Sequence, residues 1–383
     1  MTARVRLVER MRGFGTTIFA EMSALAVQTD SVNLGQGFPD TDGPAQLLAD
    51  AAEAIRTGHN QYPPGQGVPE LRAAVAAHQR ECYGLHLDPG TEVLVTAGAT
   101  EAIAAAILAL AGSGDEVILF EPYYDSYAAC VALAGATRKT ITLRPDPAGE
   151  WRFDPAELAA AVTPRTRAIV LNTPHNPTGK VFGPAELAEI AAVAVEHDLV
   201  VVTDEVYEHL AFDGRTHTPI ATLPGMAQRT LTIGSAGKTF SVTGWKIGWA
   251  TGPAQLVGAV RTVKQFLTYV NGAPFQPAVA RALGAGSWTG VAERLQAQRD
   301  LLCDGMQALG YDVIRPQATY FATVDVHGDA VEFCRELPHR AGVVAIPSSV
   351  FYDSDAGDSL VRFAFCKRPD VLHEALQRLE KAS

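Results

Sequence analysis

The stretch Thr230-Leu-Thr-Ile-Gly234 leads into Ser235-Ala-Gly-Lys238-Thr-Phe-Ser241-Val-Thr-Gly-Trp-Lys246-Ile-Gly-Trp249. An apolar, β-branched run therefore meets a turn of small residues, which predicts a strand with Lys238 at its exit and Lys246 a short way beyond. An amine used as a covalent catalyst must be desolvated enough to lose its proton near neutral pH and still be reachable by an aldehyde. A surface lysine meets only the second condition. Alone, the stretch is also compatible with an ordinary strand-to-loop junction, so its meaning depends on what the neighbouring strands deliver.

Working outward, residues 90 to 252 alternate short β-branched runs with Ala/Leu/Glu-rich stretches. Strands are expected at 92–96, 116–120, 168–172, 199–203, 230–233 and 246–251. Between two of them, Gly183-Pro184-Ala-Glu-Leu187-Ala-Glu-Ile190 opens with proline at the first helical turn and spaces its larger apolar residues as an amphipathic helix does. This alternation implies an α/β fold with a mainly parallel sheet covered by helices on both faces. After about residue 275 the pattern changes to a long helical stretch at 291–309, a strand at 320–325, a helix near 330–337 and a last strand at 360–365. That is a smaller α+β domain, joined by the N-terminal segment. The expected division is 1–37 for that segment, 38–272 for the large domain and 273–383 for the small one.

At 383 residues the chain exceeds what one hydrophobic core usually serves, which agrees with two domains and a ligand cleft between them. The net charge of −11 opposes nucleic acid and anionic membrane as partners, because counterion release needs clustered Lys and Arg and no such run occurs. Any anion site must be local. Cysteines 82, 130, 303, 334 and 366 are odd in number and lack metal-ligand spacing, as expected of reduced thiols in a cytoplasmic protein. The start, Met1-Thr-Ala-Arg-Val-Arg-Leu-Val-Glu-Arg10, lacks the apolar block of a signal peptide, and no run approaches a membrane span.

In open α/β sheets ligands bind beyond the carboxyl ends of the strands. After the first expected strand, Ala97-Gly98-Ala99-Thr100-Glu101 is a small-residue turn opening a helix, where free N–H groups can cradle a phosphate. After the second, Glu121-Pro-Tyr-Tyr124-Asp-Ser-Tyr127 can lay an aromatic face over a flat ring, although such aromatics also serve cores. Next, Thr173-Pro-His-Asn176-Pro-Thr-Gly179 pins a rigid turn around one amide. Asp204 and Tyr207 follow the fourth. A carboxylate there either caps a following helix or faces a buried cation. One sheet edge thus offers an amine, an acid, an amide, a phenol, a flat aromatic and a phosphate cradle. Pyridoxal phosphate needs this set for its aldehyde, ring nitrogen, phenolic oxygen, ring face and phosphate.

The segments 172–181, 203–210 and 235–249 closely resemble the class I aminotransferases among the fold-type I pyridoxal-phosphate enzymes. The likeness runs from Asn33-Leu-Gly-Gln-Gly37-Phe-Pro-Asp40 to Arg362-Phe-Ala-Phe-Cys-Lys367. Glu121-Pro-Tyr-Tyr-Asp-Ser-Tyr127 and Asn60-Gln-Tyr-Pro-Pro-Gly65 are similar to the branch of kynurenine/glutamine and actinobacterial N-succinyldiaminopimelate aminotransferases.

The resemblance implies a sheet of the seven-stranded type and a homodimer with shared active sites. It makes Lys238 the Schiff-base lysine, Asp204 the partner of the pyridine nitrogen, Asn176 and Tyr207 partners of the 3-oxygen, and Tyr124 the ring-stacking residue. Ala99, Thr100, Ser235 and Lys246 match phosphate contacts, and Tyr62 matches a tyrosine that reaches the phosphate from the neighbouring subunit. Arg362 matches the arginine that grips the substrate α-carboxylate; its place in the apolar run 360–365 speaks against a surface salt bridge. Gly37 and Phe19 match residues lining the substrate side.

The implied activity is ping-pong transamination between an L-amino acid and a 2-oxo acid. A cysteine-conjugate β-lyase would use the same site. A cofactor-binding regulator would need a basic DNA-binding module that the sequence does not contain. Departures fall where the substrate is recognised. Thr100 stands where some relatives hold a large aromatic, Phe19 where some hold Trp, and no second arginine can be assigned to a distal carboxylate.

Overall fold

The structure, a computed structural model, describes residues 8–15 and 18–382. The first seven residues of the amino-terminal stretch read above lie outside the described residues.

Strict alternation of apolar side chains builds the larger sheet. Ile169, Leu171 and Val201 enter the core on one face, while Ala168, Val170, Val202, Leu231 and Ile233 enter the core on the other. Both faces are buried, so the strands read as nearly continuous apolar runs. The strands are β1 (Val93–Ala97), β2 (Glu116–Glu121), β3 (Thr137–Thr142), β4 (Thr166–Asn172), β5 (Val200–Asp204), β6 (Thr230–Ser235) and β7 (Ile247–Thr251). Their order across the sheet is β1-β7-β6-β5-β4-β2-β3. β7 runs antiparallel to β1 and β6, and all other neighbours are parallel.

β3 is absent from the six runs read in the sequence. Its residues Thr137-Arg-Lys-Thr-Ile-Thr142 form the sheet edge, and only Ile141 and Thr142 are buried. An edge strand half exposed to water needs no apolar run, so composition does not reveal it.

Register sets the chemistry. Asn172 pairs with Asp204, Asp204 with Ile233, Ser235 with Gly248, and Ala97 with Ile247. The residues that leave the strands therefore emerge side by side along one edge.

Helices α1 (Ile18–Gln28), α2 (Ala45–Arg56), α3 (Pro69–Tyr83), α4 (Gly98–Leu110), α5 (Asp125–Ala134) and α6 (Pro184–Glu196) precede or cover these strands. α6 starts where the sequence places it. Pro184 opens it, Glu186 accepts from the Gly183 N–H at 3.0 Å, and Leu187, Ile190, Ala191 and Ala194 form its buried face.

A second sheet, β8 (Asp312–Ile314), β9 (Phe321–Asp325), β10 (Ile346–Pro347) and β11 (Leu360–Ala364), is antiparallel in the order β8-β9-β11-β10. Val32–Asn33 pairs in parallel with Val343–Val344, so these residues lie with this unit, whereas Glu9–Met11 packs on α5 and Phe14 on the core of the larger unit, against the expectation that all of 1–37 joins the small domain. Helix α7 (Phe275–Gly284), beyond the expected boundary at 272, buries Ala278, Val279 and Leu283 with Leu47, Leu71 and Val75 of α2 and α3. No described helix is long and apolar enough to cross a membrane.

Candidate active site

The carboxyl ends of β1, β4, β5 and β6 open on a cavity of about 490 Å³. Lys238 sits on the single helical turn that follows β6, whose start is held by Ser235 Oγ accepting from the Gly237 N–H at 3.2 Å. Its side chain reaches the cavity. Nζ donates to Tyr320 Oη at 2.7 Å, and that phenol donates to the Gly37 carbonyl at 2.8 Å. Burial pulls the amine down from its ordinary value to about 8, against the opposing pull of nearby Cys366 and Asp204. Both demands made of a nucleophilic lysine, desolvation and access, are met at one atom.

Asp204 ends β5 with its carboxyl buried. Tyr127 Oη donates to Oδ2 at 2.6 Å and the Val206 N–H donates to Oδ1 at 3.3 Å. Burial raises its pKa, and the Tyr127 hydrogen bond works against that rise. The residues after Asp204 form turns and not an α-helix, so the helix-cap alternative is excluded. Asn172 supports the same edge. Its Nδ2 donates to the Asp204 carbonyl at 2.8 Å, and its Oδ1 accepts from the Asn176 N–H at 2.7 Å.

The small-residue turn after β1 is shaped by close approach. Gly98 takes φ +71°, and a Cβ there would lie 3.3 Å from Lys246 Cε. Lys246 is itself left-handed at φ 53°, a conformation uncommon outside glycine. Asn271 fixes it, with Nδ2 donating to the Lys246 and Thr96 carbonyls at 3.0 Å each. Ala99, Thr100, Ser235 and Lys246 all line the cavity, so helix-start N–H groups, a hydroxyl and an ammonium gather where an anion would dock.

Arg362, on β11, is only 2 % exposed. Its guanidinium carbon lies 4.1 Å from the ring centre of Phe321, 4.9 Å from Phe351 and 5.2 Å from Phe19. Nη2 donates to the Gly35 carbonyl at 3.0 Å and Nη1 to Asn176 Oδ1 at 3.2 Å, while Nε is buried without a partner. Burial lowers its pKa to about 10, which leaves it charged at neutral pH. It forms no salt bridge among the described residues. Gly37 packs on the same wall, where a Cβ would fall 2.3 Å from Phe321 Cζ.

Phe19, Gly37, Tyr124, Asn176 and Tyr207 also line the cavity, so twelve of the thirteen residues singled out in the sequence are brought together. The thirteenth, Tyr62, is 82 % exposed and rests edge-on against Tyr269, 5.6 Å between ring centres. Sequence reasoning assigned no role to Tyr127, Tyr320, Asn172 or Asn271. Tyr127 was within the quoted aromatic segment, but only strand register brings its hydroxyl to Asp204.

A sheet with its acid, amide and amine along one carboxyl edge, faced by a buried arginine from a second sheet, defines a class of enzyme that handles amino acids. A family model described as "Aminotransferase class I and II" matches residues 29–379, and the chain belongs to that family; it is a transaminase. It is 54 % identical to the probable N-succinyldiaminopimelate aminotransferase of Mycobacterium tuberculosis over 97 % of each chain. The solved N-succinyldiaminopimelate aminotransferase from the same organism superposes with a TM-score of 0.97, covering 99 % of this chain and 100 % of that one at 54 % identity. The methionine aminotransferase of Escherichia coli is 40 % identical over 96 % of each chain.

Proposed function

We propose that this enzyme is a pyridoxal-phosphate-dependent aminotransferase that moves an amino group between an L-amino acid and a 2-oxo acid in two half-reactions, with Lys238 as the covalent anchor. The observation that carries this reading is the Lys238 amine, reachable from the cavity and depressed to about 8 by burial.

The residues fit the cofactor. Asp204 is a buried carboxyl with no Lys or Arg ion pair among the described residues, as suits a protonated ring nitrogen. The Gly98 turn leaves room for an anion beside Lys246, where a side chain at residue 98 would intrude. Asn176 keeps its amide Nδ2 to donate, because Oδ1 accepts from Arg362. Nδ2 and the Tyr207 hydroxyl are the proposed donors to the cofactor's phenolic oxygen. Ala99, Thr100, Ser235 and Lys246 hold the phosphate, and Tyr124 covers the ring.

When bound, the cofactor supplies an electron-accepting ring for the pair left by the breaking α C–H bond. Arg362 holds the substrate carboxylate with a planar fork, fixing which substituent faces Lys238. Lys238 Nζ would take the α-proton as general base and then, as general acid, deliver it to the carbon that bore the cofactor's aldehyde. Asp204 keeps the ring nitrogen charged. The hydrophobic wall of Phe19 and Phe321 excludes water from the reacting carbon.

Tyr62 is proposed to complete the phosphate site of a partner subunit in a homodimer. Supporting this, Tyr62 rests on Tyr269, which follows Phe266 and Leu267 closely in sequence, and these four large residues are exposed at 82, 50, 82 and 47 % respectively. The proposed large domain spans 38–272 together with α7, which packs on α2 and α3, and the small domain is the remainder after α7 with residues 18–37, since α1 packs on its elements. Five free thiols support a cytoplasmic location.

The likeness to the mycobacterial enzyme makes N-succinyldiaminopimelate the first amino donor to test, followed by methionine and kynurenine. The deciding experiment follows bound-cofactor absorbance and keto-acid release with each donor, for wild type and Lys238→Ala. Wild type should turn over at least one donor and the variant none; turnover by the variant without added amine would refute the role of Lys238.

A further inference from the structure

Outside the cavity, His78, Glu208 and His209 bring three ligand atoms within 4.8 Å of one another. His78 comes from α3, and Glu208 and His209 directly follow Tyr207. None of the three lines the cavity described above.

The two imidazoles meet through Nε2 atoms 2.7 Å apart. Trp288 walls the pair, stacked on His209 at 4.6 Å and edge-on to His78 at 5.0 Å. Glu208 is 7 % exposed, its Oε2 has no hydrogen-bond partner, and no Lys or Arg pairs with it among the described residues. A buried carboxylate oxygen left in this way is costly unless a cation faces it.

Gln79 adds a second observation. Its Nε2 lies 3.3 Å from His78 Nδ1, while its Oε1 is buried without a partner. An amide's oxygen and nitrogen are interchangeable in such an assignment. Turned over, the Gln79 Oε1 accepts a hydrogen bond from His78 Nδ1–H, and that tautomer frees the His78 Nε2 lone pair for a ligand. This outer hydrogen bond is the kind that orients metal-binding histidines.

We propose that His78, His209 and Glu208 form a binding site for one divalent transition-metal ion of the zinc type, tying α3 to the segment that carries Tyr207. Two imidazoles and a carboxylate suit such an ion, with water as a fourth ligand. Nitrogens on one tetrahedral ion stand about 3.3 Å apart, so binding opens the histidine pair by roughly 0.6 Å. Partial exposure of His209 provides a route of entry.

The test uses holoenzyme stripped of metal by a chelator, then titrated with cobalt(II) chloride while its d–d absorption is followed. Wild type should take up about one ion per chain with a tetrahedral-type band that zinc chloride removes, and its thermal midpoint should rise with metal concentration. His78→Gln and, separately, Glu208→Gln should weaken uptake at least tenfold and lose the thermal shift. No stoichiometric uptake by wild type would overturn the proposal, as would equal uptake by either folded variant; the histidine pair would then be joined by a hydrogen bond alone.

Discussion

Lys238 Nζ and Tyr320 Oη are joined by a 2.7 Å hydrogen bond that crosses between the two sheets. The lysine leaves β6 and the tyrosine stands just before β9. The amine proposed as nucleophile is therefore anchored on the larger sheet and held by a hydrogen bond to the smaller one.

This arrangement predicts a pH dependence. A folded-state amine near 8, below the ordinary lysine value, is neutral above that pH. Covalent attachment of cofactor to the cofactor-free enzyme should speed up about tenfold per unit as pH rises towards 8, then level off. The sign for stability is the same. The unfolded chain binds the extra proton between about 8 and the unperturbed lysine value, so this group's destabilising burial is fully present below 8 and fades as pH rises through that window. Tyr320→Phe should slow attachment through lost aim while keeping the midpoint near 8, because burial sets it. A midpoint moving back towards the ordinary lysine value would contradict that cause.

The Tyr127–Asp204 hydrogen bond predicts two separable losses. Asp204→Asn can still accept from Tyr127, so the protein should fold normally yet lose most of its turnover, because a neutral amide cannot hold the ring proton. Tyr127→Phe leaves a buried carboxylate short of one donor at a cost of about 1–3 kcal/mol, read as a lower denaturant midpoint. Near-wild-type rates in Asp204→Asn would reduce that carboxyl to a structural role.

For Arg362, removal of the guanidinium should weaken amino-acid capture by about 2–5 kcal/mol and leave cofactor absorbance intact. Arg362→Lys should rescue little, since one ammonium cannot keep the Gly35 and Asn176 bonds and also grip a carboxylate. Saturation kinetics with an amino acid and its decarboxylated amine decide the matter: an arginine that binds carboxylate distinguishes them, and its loss erases the difference.

Tyr62 makes the dimer testable by mixing. If its hydroxyl serves the partner's site, heterodimers of Tyr62→Phe and Lys238→Ala have one site with both lesions and one with neither. Activity should then reappear in verified heterodimers, given that Tyr62→Phe alone is clearly impaired. Its failure to reappear would keep the loop within its own subunit.

The sequence alone determined what local chemistry can encode. Buried parallel strands must be apolar on both faces, so six of seven strands of the larger sheet were legible, and so was the start of α6. The small-residue turn at Gly98, the proline-pinned loop around Asn176 and the lysine after a β-branched run carried their meaning in residue type. Tertiary structure decided the rest. β3 was hidden because an edge strand facing water needs no apolar signature. Asp204 was ambiguous between cap and buried acid until the following turns and the Tyr127 hydroxyl appeared around it. The depressed lysine, the arginine among three phenylalanine rings and the His78–Glu208–His209 cluster depend on residues far apart in sequence. Desolvation and hydrogen-bond partnership are properties of packed neighbours, and only folding supplies those neighbours.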